Sequence, residues 1–480
     1  MEDLLIIAYL TVLVLLAVYG FHRSQLVFLF HKTKKLRPEP LNHFDDLPVV
    51  TIQLPMFNEK YVAGRIVESM TRLDYPKNKL EIQVLDDSTD DTTDILKEKV
   101  EEVASRGFDI ALIHRVDRVG FKAGALENGL KTAKGEFVAV FDADFIAPES
   151  ILKDTIDYFT DDKVGMVQAR WGHINRDYSM MTRIQSLMLD GHFVIEHAAR
   201  NRTGRYFNFN GTAGIWRKKA IHDAGGWEHD TLTEDMDLSY RAQLRGWNFI
   251  YLPDVVAPAE IPVEMNSFKS QQFRWAKGSI QVARKMLPVI LKSDAPLKVK
   301  LEAFFHLTNN FAYVLMIFLA LLLVPNLLVR TEHGLREVFL IDLPLFFGTT
   351  MSIAVFYVTA HRALYPSLGK ALLKVPLLMS MGIGMSINNA KAVIEGILGH
   401  DTEFVRTAKH GVENCGESWC RKKYRASKTL LPVVEILFGL YFILAVYVAI
   451  DGGHWVSLPF LLMFLFGYFY VGALSIYQKR

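Results

Sequence analysis

Phe137-Val138-Ala139-Val140-Phe141-Asp142-Ala143-Asp144 decides how this chain folds. An apolar run with β character leads straight into an acidic pair, and Pro148-Glu149 opens a helical segment just beyond. The same arrangement occurs twice upstream. Val49–Leu54 ends at Pro55-Met56-Phe57-Asn58-Glu59, and Glu81–Leu85 ends at Asp86-Asp87-Ser88-Thr89-Asp90. Ile110–His114 and Val164–Gln168 are further β-rich runs bounded by turn residues. Helical periodicity fills Glu59–Arg72, Thr92–Ser105, Ala123–Thr132 and Glu149–Phe159. The alternation predicts an α/β layer with a mostly parallel sheet over 47–296, binding its ligand at the carboxyl ends of the strands.

A lone Asp-x-Asp usually caps a helix. Three acidic clusters at three strand ends on one edge point instead to a ligand. Hard divalent cations take oxygen ligands and bridge phosphates, so Asp142 and Asp144 suit an Mg²⁺ or Mn²⁺ complex of a diphosphate. Asp86 is expected only to cap the helix that follows it.

Lys and Arg total 54 against 52 Asp and Glu, so a nucleic-acid role has no electrostatic support. The apolar residues concentrate at the two ends. Leu4–Phe21 has the length of a bilayer crossing. Glu2 and Asp3 precede it where a signal peptide would carry basic residues. Arg23, Lys32, Lys34, Lys35 and Arg37 follow, which predicts an outward N-terminus and a cytoplasmic region next. Phe304–Val329, Phe339–Ala360, Leu430–Ile450 and Trp455–Tyr477 are further expected spans. Ala371–Leu398 is interrupted by Lys374, Pro376, Gly382 and Gly384, and reads as a re-entrant or interfacial helix. The expected organisation is an N-terminal span at 1–24, a cytoplasmic domain at 47–296 and a membrane region at 297–480. A basic cytoplasmic loop at 399–429 interrupts that region. Cys415 and Cys420 fall in this loop and are expected to be free thiols. With His410 they lack both a fourth ligand and a zinc-site spacing.

Seven runs follow one another at characteristic spacing. The first three are Gln83-Val84-Leu85-Asp86-Asp87-Ser88-Thr89-Asp90, Gly120-Phe121-Lys122-Ala123-Gly124-Ala125-Leu126 and Phe141-Asp142-Ala143-Asp144-Phe145. Val167-Gln168-Ala169-Arg170-Trp171, Phe209-Asn210-Gly211-Thr212-Ala213-Gly214 and Glu234-Asp235-Met236-Asp237-Leu238 come next. Gln271-Gln272-Phe273-Arg274-Trp275, a Q-x-x-R-W, completes the set ahead of the membrane region. Together these runs resemble glycosyltransferase family 2, and within it the cellulose-synthase-like A and C groups.

The resemblance implies a GT-A fold and an inverting single displacement. It implies that Asp87 reads the nucleotide base, that Asp144 with Asp142 holds the metal, and that Lys122 and Arg274 meet the diphosphate. Fixed cations there would stabilise the charge that develops on the leaving group. Asp235 resembles the general base, and Gln271, Trp275, Gly211 and Thr212 resemble acceptor contacts. Glu234, Trp171 and Trp227 are expected to be structural. Glu127 stands where Asn is common, which bears on the donor site. Phe404-Val405-Arg406-Thr407-Ala408-Lys409 looks like an F-x-V-T-x-K gating loop, with Phe404, Thr407 and Lys409 as its matching residues. Such a loop would close over the donor and exclude water.

These features imply a membrane-embedded hexosyltransferase that extends a β-linked polysaccharide from UDP-glucose or GDP-mannose. A transferase adding one sugar to a membrane lipid is the alternative. A transporter with a degenerate domain conflicts with the intact Asp87, Asp144, Asp235 and Arg274. The expected location is a plasma membrane or inner membrane, or the Golgi in a eukaryote. For a polymer product, His306, Asn309, Asn310 and Tyr313 are expected to share one face of the first span after Trp275 and to line a passage.

Overall fold

The computed structural model describes residues 2–333, 339–400, 406–412 and 429–478. Phe404, Cys415 and Cys420 lie outside the described residues. The strands are β1 (Val50–Met56), β2 (Leu80–Asp86), β3 (Asp109–His114), β4 (Phe137–Val140), β5 (Val164–His173), β6 (Gly214–Arg217) and β7 (Asn248–Ala259). The helices of the α/β layer are α1 (Glu2–Thr33, leading into it), α2 (Ala63–Met70), α3 (Thr92–Ser105), α4 (Phe121–Leu130), α5 (Lys153–Ile156), α6 (Met180–Asp190), α7 (Ala198–Arg202), α8 (Lys218–Asp223), α9 (Glu234–Leu244) and α10 (Met265–Lys292). Then come α11 (Leu297–Thr308), α12 (Phe311–His333), α13 (Phe339–Leu364), α14 (Leu368–Gly384), α15 (Ser386–Leu398), α16 (Leu431–Asp451) and α17 (Leu458–Tyr477).

One seven-stranded sheet runs in the order β3-β2-β1-β4-β6-β5-β7. It is mostly parallel, and only β6 runs against its neighbours β4 and β5. Every residue of β2 is buried, as expected of a strand with both faces covered. Val50 pairs with Leu80 and Met56 with Asp86, so β1 and β2 end together. Val140 closes β4 opposite Gln53, which brings Asp142–Asp144 to the same edge. Antiparallel β6 starts at Gly214 opposite Val140, so the Asn210–Ala213 turn enters there too.

The sequence pattern did not reveal β6 or β7. β6 is only four residues long, and β7 contains Pro253 and Pro258 and bulges against β5. The expected helix Glu59–Arg72 starts only at Ala63, because Asn58 turns left-handed (φ 54°) and the chain must recover. The expected helix Glu149–Phe159 shrinks to α5 and a 3₁₀ turn, where the Thr155 and Thr160 hydroxyls take nearby carbonyls.

Among the described residues, four helices are long and apolar enough to cross a membrane: α1, α12, α16 and the stretch Trp455–Tyr477 that contains α17. A fifth candidate is the pair α14 and α15, bent by 48° as a broken span or a re-entrant loop. Gly384 at the end of α14 permits close packing on α17, since a Cβ there would sit 2.3 Å from the Gly467 carbonyl oxygen. α13 covers the remaining expected span and packs on α1.

The expected continuous span from Phe304 is corrected by the structure. The helix breaks between Thr308 and Phe311. The physical reason is polarity: α11 carries Lys298, Lys300 and Glu302, and Glu302 binds Arg200 at 2.9 Å and His22 at 3.3 Å. Glu302 on Arg200, and Lys298 on the Thr203 carbonyl at 2.8 Å, hold α11 against α7 rather than letting it continue α12.

Candidate active site

The acidic edge is built by the strand ends. Asp142 follows β4, and its backbone N–H donates to Thr212 Oγ1 at 2.9 Å. Its Oδ1 accepts from Lys122 Nζ at 2.5 Å, and the same ammonium donates to the Gly211 carbonyl at 2.9 Å. Burial opposes the charge on Lys122, yet Asp142 and Glu234 hold its pKa above the usual lysine value. Asp144 is buried and ion-paired to Lys409 of the loop after α15.

On the β2 side, Asp87 is gripped in two places by Arg115. Nε donates to Oδ1 at 2.8 Å and Nη2 to Oδ2 at 2.5 Å. Asp86, fully buried, accepts from Thr93 Oγ1 at 2.7 Å, from the Ser88 N–H at 3.0 Å and binds His114 at 2.8 Å. It ties the loop to α3 through the Thr93 hydroxyl but is not the expected helix cap: the N-cap position is Asp91, whose side chain makes no capping hydrogen bond. Phe57 at the end of β1 lies under the Arg118 guanidinium, 3.2 Å from its ring centroid. Phe57, Asp87, Arg118, Lys122, Asp142 and Asp144 all line one pocket, and Gln271, Arg274 and Trp275 close it from α10.

Asp235 stands in the first turn of α9 and faces that pocket. Its Oδ1 accepts the Met236 N–H at 2.8 Å. Burial, then the neighbouring Glu234 carboxylate, pushes its pKa up to about 7. Glu234 is likewise raised by burial, with Lys122 opposing the shift. Gly211 adopts φ +79°, and a Cβ there would lie 3.0 Å from Asp235 Oδ2. A side chain at 211 would therefore crowd the gap between Asp235 and the Lys122–Asp142 pair.

The helix bearing Gln271, Arg274 and Trp275 is tied to the membrane bundle. Lys269 Nζ binds Glu435 on α16 at 2.6 Å and Ser475 on α17 at 3.0 Å. Lys277 binds Glu395 on α15 at 3.1 Å. Trp275 also lines a second chamber, shared with Asp235, His306, Asn309, Asn310 and Tyr313. Although α11 and α12 are separate, the break still brings all four predicted passage residues to one cavity.

Part of that chamber is a π-helical turn, Gly191–His197, between α6 and α7. Burial and then His192 hold the His197 pKa well below the usual histidine value. The neutral His197 donates from Nε2 to Asn210 Oδ1 at 2.7 Å and to the Asn208 carbonyl at 3.1 Å. Asn210 Nδ2 then donates to His192 Nε2 at 3.1 Å, and His192 Nδ1 to Glu196 at 3.1 Å. This chain fixes Asn210, one of the residues that line both cavities.

The segment 406–412 is folded into the pocket mouth. Arg406 binds Glu59 at 3.4 Å, and Thr407 and Lys409 line the pocket. Burial raises the Glu59 pKa to about 7. Glu260, just past β7, accepts the His410 and Gly411 N–H groups, one on each oxygen, both at 2.8 Å. Glu260, Arg115, Arg118, His192 and Asn210 were not singled out as site residues from the sequence. Only Asn210, inside a recognisable motif, carried a signal there.

Three further expectations change. Thr212 is fully buried and supports Asp142 from below rather than lining either cavity as an acceptor contact. Trp171 is not simply core. It lines both cavities, with its ring centroid 6.5 Å from that of Trp275, while Trp227 is buried against Trp216 and Phe209. Glu127 does not line the aspartate-edged pocket and accepts the Trp227 backbone N–H at 2.9 Å.

Residues 48–278 match the family model described as "Glycosyltransferase like family 2". Among curated proteins, the chain is 34% identical over 421 residues to glucomannan 4-beta-mannosyltransferase 1 of Oryza sativa subsp. japonica, covering 82% of this chain and 77% of that one. It is 35% identical over 412 residues to glucomannan 4-beta-mannosyltransferase 1 of Cyamopsis tetragonoloba, covering 82% and 75%. Among solved structures, a mannosyltransferase from Pyrobaculum calidifontis, in complex with GDP-Man and Mn²⁺, superposes with a TM-score of 0.57 at 20% identity, over 82% of this chain and all of that one. That likeness places the α/β layer in the GT-A fold. On its sequence and on the strand-edge site that carries its motifs, the chain belongs to glycosyltransferase family 2, in its cellulose-synthase-like branch.

Proposed function

We propose that this membrane-embedded hexosyltransferase transfers mannose from GDP-mannose to a growing β-linked polysaccharide. The names of its relatives support mannose, and UDP-glucose is the second donor to test. One observation carries the reading: Asp235 and Trp275 sit where the aspartate-edged pocket meets a polar chamber that leads to α11 and α12.

The donor's diphosphate would lie by Asp142 and Asp144, and its base by Asp87. Two carboxylates offer hard oxygen donors but no full cage, which suits a divalent cation that completes its shell from phosphate oxygens. Bound there, Mg²⁺ or Mn²⁺ would supply positive charge to the diphosphate. Lys409 holds Asp144 through an ion pair, so loading the site displaces that ammonium. The acceptor sugar would rest its C–H face on Trp275, with its hydroxyl directed at Asp235. Asp235 takes the hydroxyl proton as the new C–O bond forms on the face opposite the leaving diphosphate. This is the inverting course. Its raised pKa suits a base that works near neutral pH. Lys122 and Arg274 stabilise the charge on the departing diphosphate. The 406–412 segment would close the pocket against water, and the chamber beyond Trp275 would receive the lengthening chain.

The basic residues after α1 support a catalytic layer on the cytoplasmic side. Purified protein in membranes, given radiolabelled GDP-mannose or UDP-glucose, tests the reading. The expected product is insoluble and falls to a β-mannan-specific hydrolase. A chloroform-soluble product carrying one sugar would overturn it in favour of a lipid acceptor.

A further inference from the structure

One wall of the donor pocket takes no part in the chemistry above. At the end of β1, Phe57 lines the pocket, and the Arg118 guanidinium lies over it at 3.2 Å. The ring of Phe121 sits 4.9 Å from the same guanidinium on the α4 side. Two rings thus restrict this arginine. On the neighbouring end of β2, where the Asp87 N–H donates to the Met56 carbonyl at 3.0 Å, Arg115 engages both oxygens of Asp87. That carboxylate is oriented, presents acceptors and no donor, and keeps a second lone pair on each oxygen.

We propose that Arg118, braced by Phe57, and Asp87, braced by Arg115, select guanine over uracil in the nucleotide-sugar. The proposal rests on the nucleotide-sugar reading of the pocket. Guanine carries two neighbouring acceptors, O6 and N7, and two neighbouring donors, N1–H and N2–H₂. A planar arginine fork matches the first pair. An oriented carboxylate matches the second. Uracil has a single donor, N3–H, flanked by two carbonyl oxygens. Facing Asp87 it gains one hydrogen bond and brings two oxygens towards an acceptor. It also offers the Arg118 fork one acceptor instead of two. A lysine in place of Arg118 would keep the charge and lose the fork.

Titration calorimetry with GDP and with UDP, on the full chain in nanodiscs with Mg²⁺, tests this. The unsubstituted protein is expected to bind GDP more tightly than UDP. Arg118→Ala should weaken GDP by about 5- to 150-fold, the range for one bidentate arginine–guanine pair, and UDP by a smaller factor because uracil loses one acceptor contact, so the preference for GDP should shrink. Arg118→Lys should lose the preference as well. Retained UDP binding shows that each variant is folded. Equal losses for GDP and UDP, full GDP preference in Arg118→Lys, or a UDP preference in the unsubstituted protein would each overturn the proposal while leaving a sugar transferase in place. Binding of neither nucleotide by the unsubstituted protein would instead sink the donor-site reading, and this proposal with it.

Discussion

Asp235→Asn separates chemistry from binding and from stability in one substitution. The amide keeps an oxygen for the Met236 N–H that Asp235 now accepts at 2.8 Å, so the first turn of α9 should hold its geometry. It cannot take a proton. Transfer should fall by about 10²–10⁴-fold, the usual contribution of a general base. Nucleotide affinity should stay, because Asp87, Asp142 and Asp144 remain. The structure adds a stability effect with a defined sign. Burial and Glu234 raise the folded-state pKa to about 7, above that of an unfolded aspartate. Below about pH 4 both states are protonated and the group is neutral for folding. As pH rises towards 7 the unfolded chain releases a proton that the folded one keeps, and the wild type loses a few kcal/mol. The amide side chain does not titrate and escapes that loss, so the Asp235→Asn variant should melt higher than wild type at pH 8 and equally at the acid end. For the same reason, wild-type kcat/KM should fall as pH drops through neutrality. The assays are radiolabelled transfer, nucleotide calorimetry and thermal melting at both pH values. Loss of nucleotide affinity as severe as that of Asp144→Ala would refute the base assignment, and a lower melting temperature at pH 8 would refute the electrostatic argument.

Asp144→Ala should abolish transfer and weaken nucleotide binding, and excess chelator should do the same to the unsubstituted protein; full activity in chelator would exclude the metal site. Lys409→Ala removes the ammonium from Asp144, so Mn²⁺ binding without nucleotide, read by electron paramagnetic resonance, should tighten, and an unchanged affinity would show that Lys409 does not compete for the carboxylate. Replacing Asn309 with Leu and Tyr313 with Trp together should shorten the polymer yet spare donor hydrolysis, since both line the chamber beyond Trp275. An unchanged chain length on gel filtration would place the polymer's path elsewhere.

The strand-edge logic was legible in the sequence because it is local. Each β run is followed within a residue or two by its own polar cluster, and a parallel sheet must bring those ends to one side. The sheet's type, the apolar helices and the aspartates needed nothing more. Thr212 shows the limit: a motif position does not say whether a side chain faces the cavity or the residue beneath it. The apolar run from Phe304 read as one span, since hydropathy does not see that Glu302 is held by Arg200, which lies 102 positions away. The partners that shape the site are similarly remote: Arg115 on Asp87 at a separation of 28, Glu260 on the Gly411 amide at 151, Lys409 on Asp144 at 265. Periodicity and turn chemistry act over a few residues, so they specify which side chains reach the edge of the sheet. Which cation meets which carboxylate there is decided by packing, where burial makes an unmatched charge too costly to leave alone.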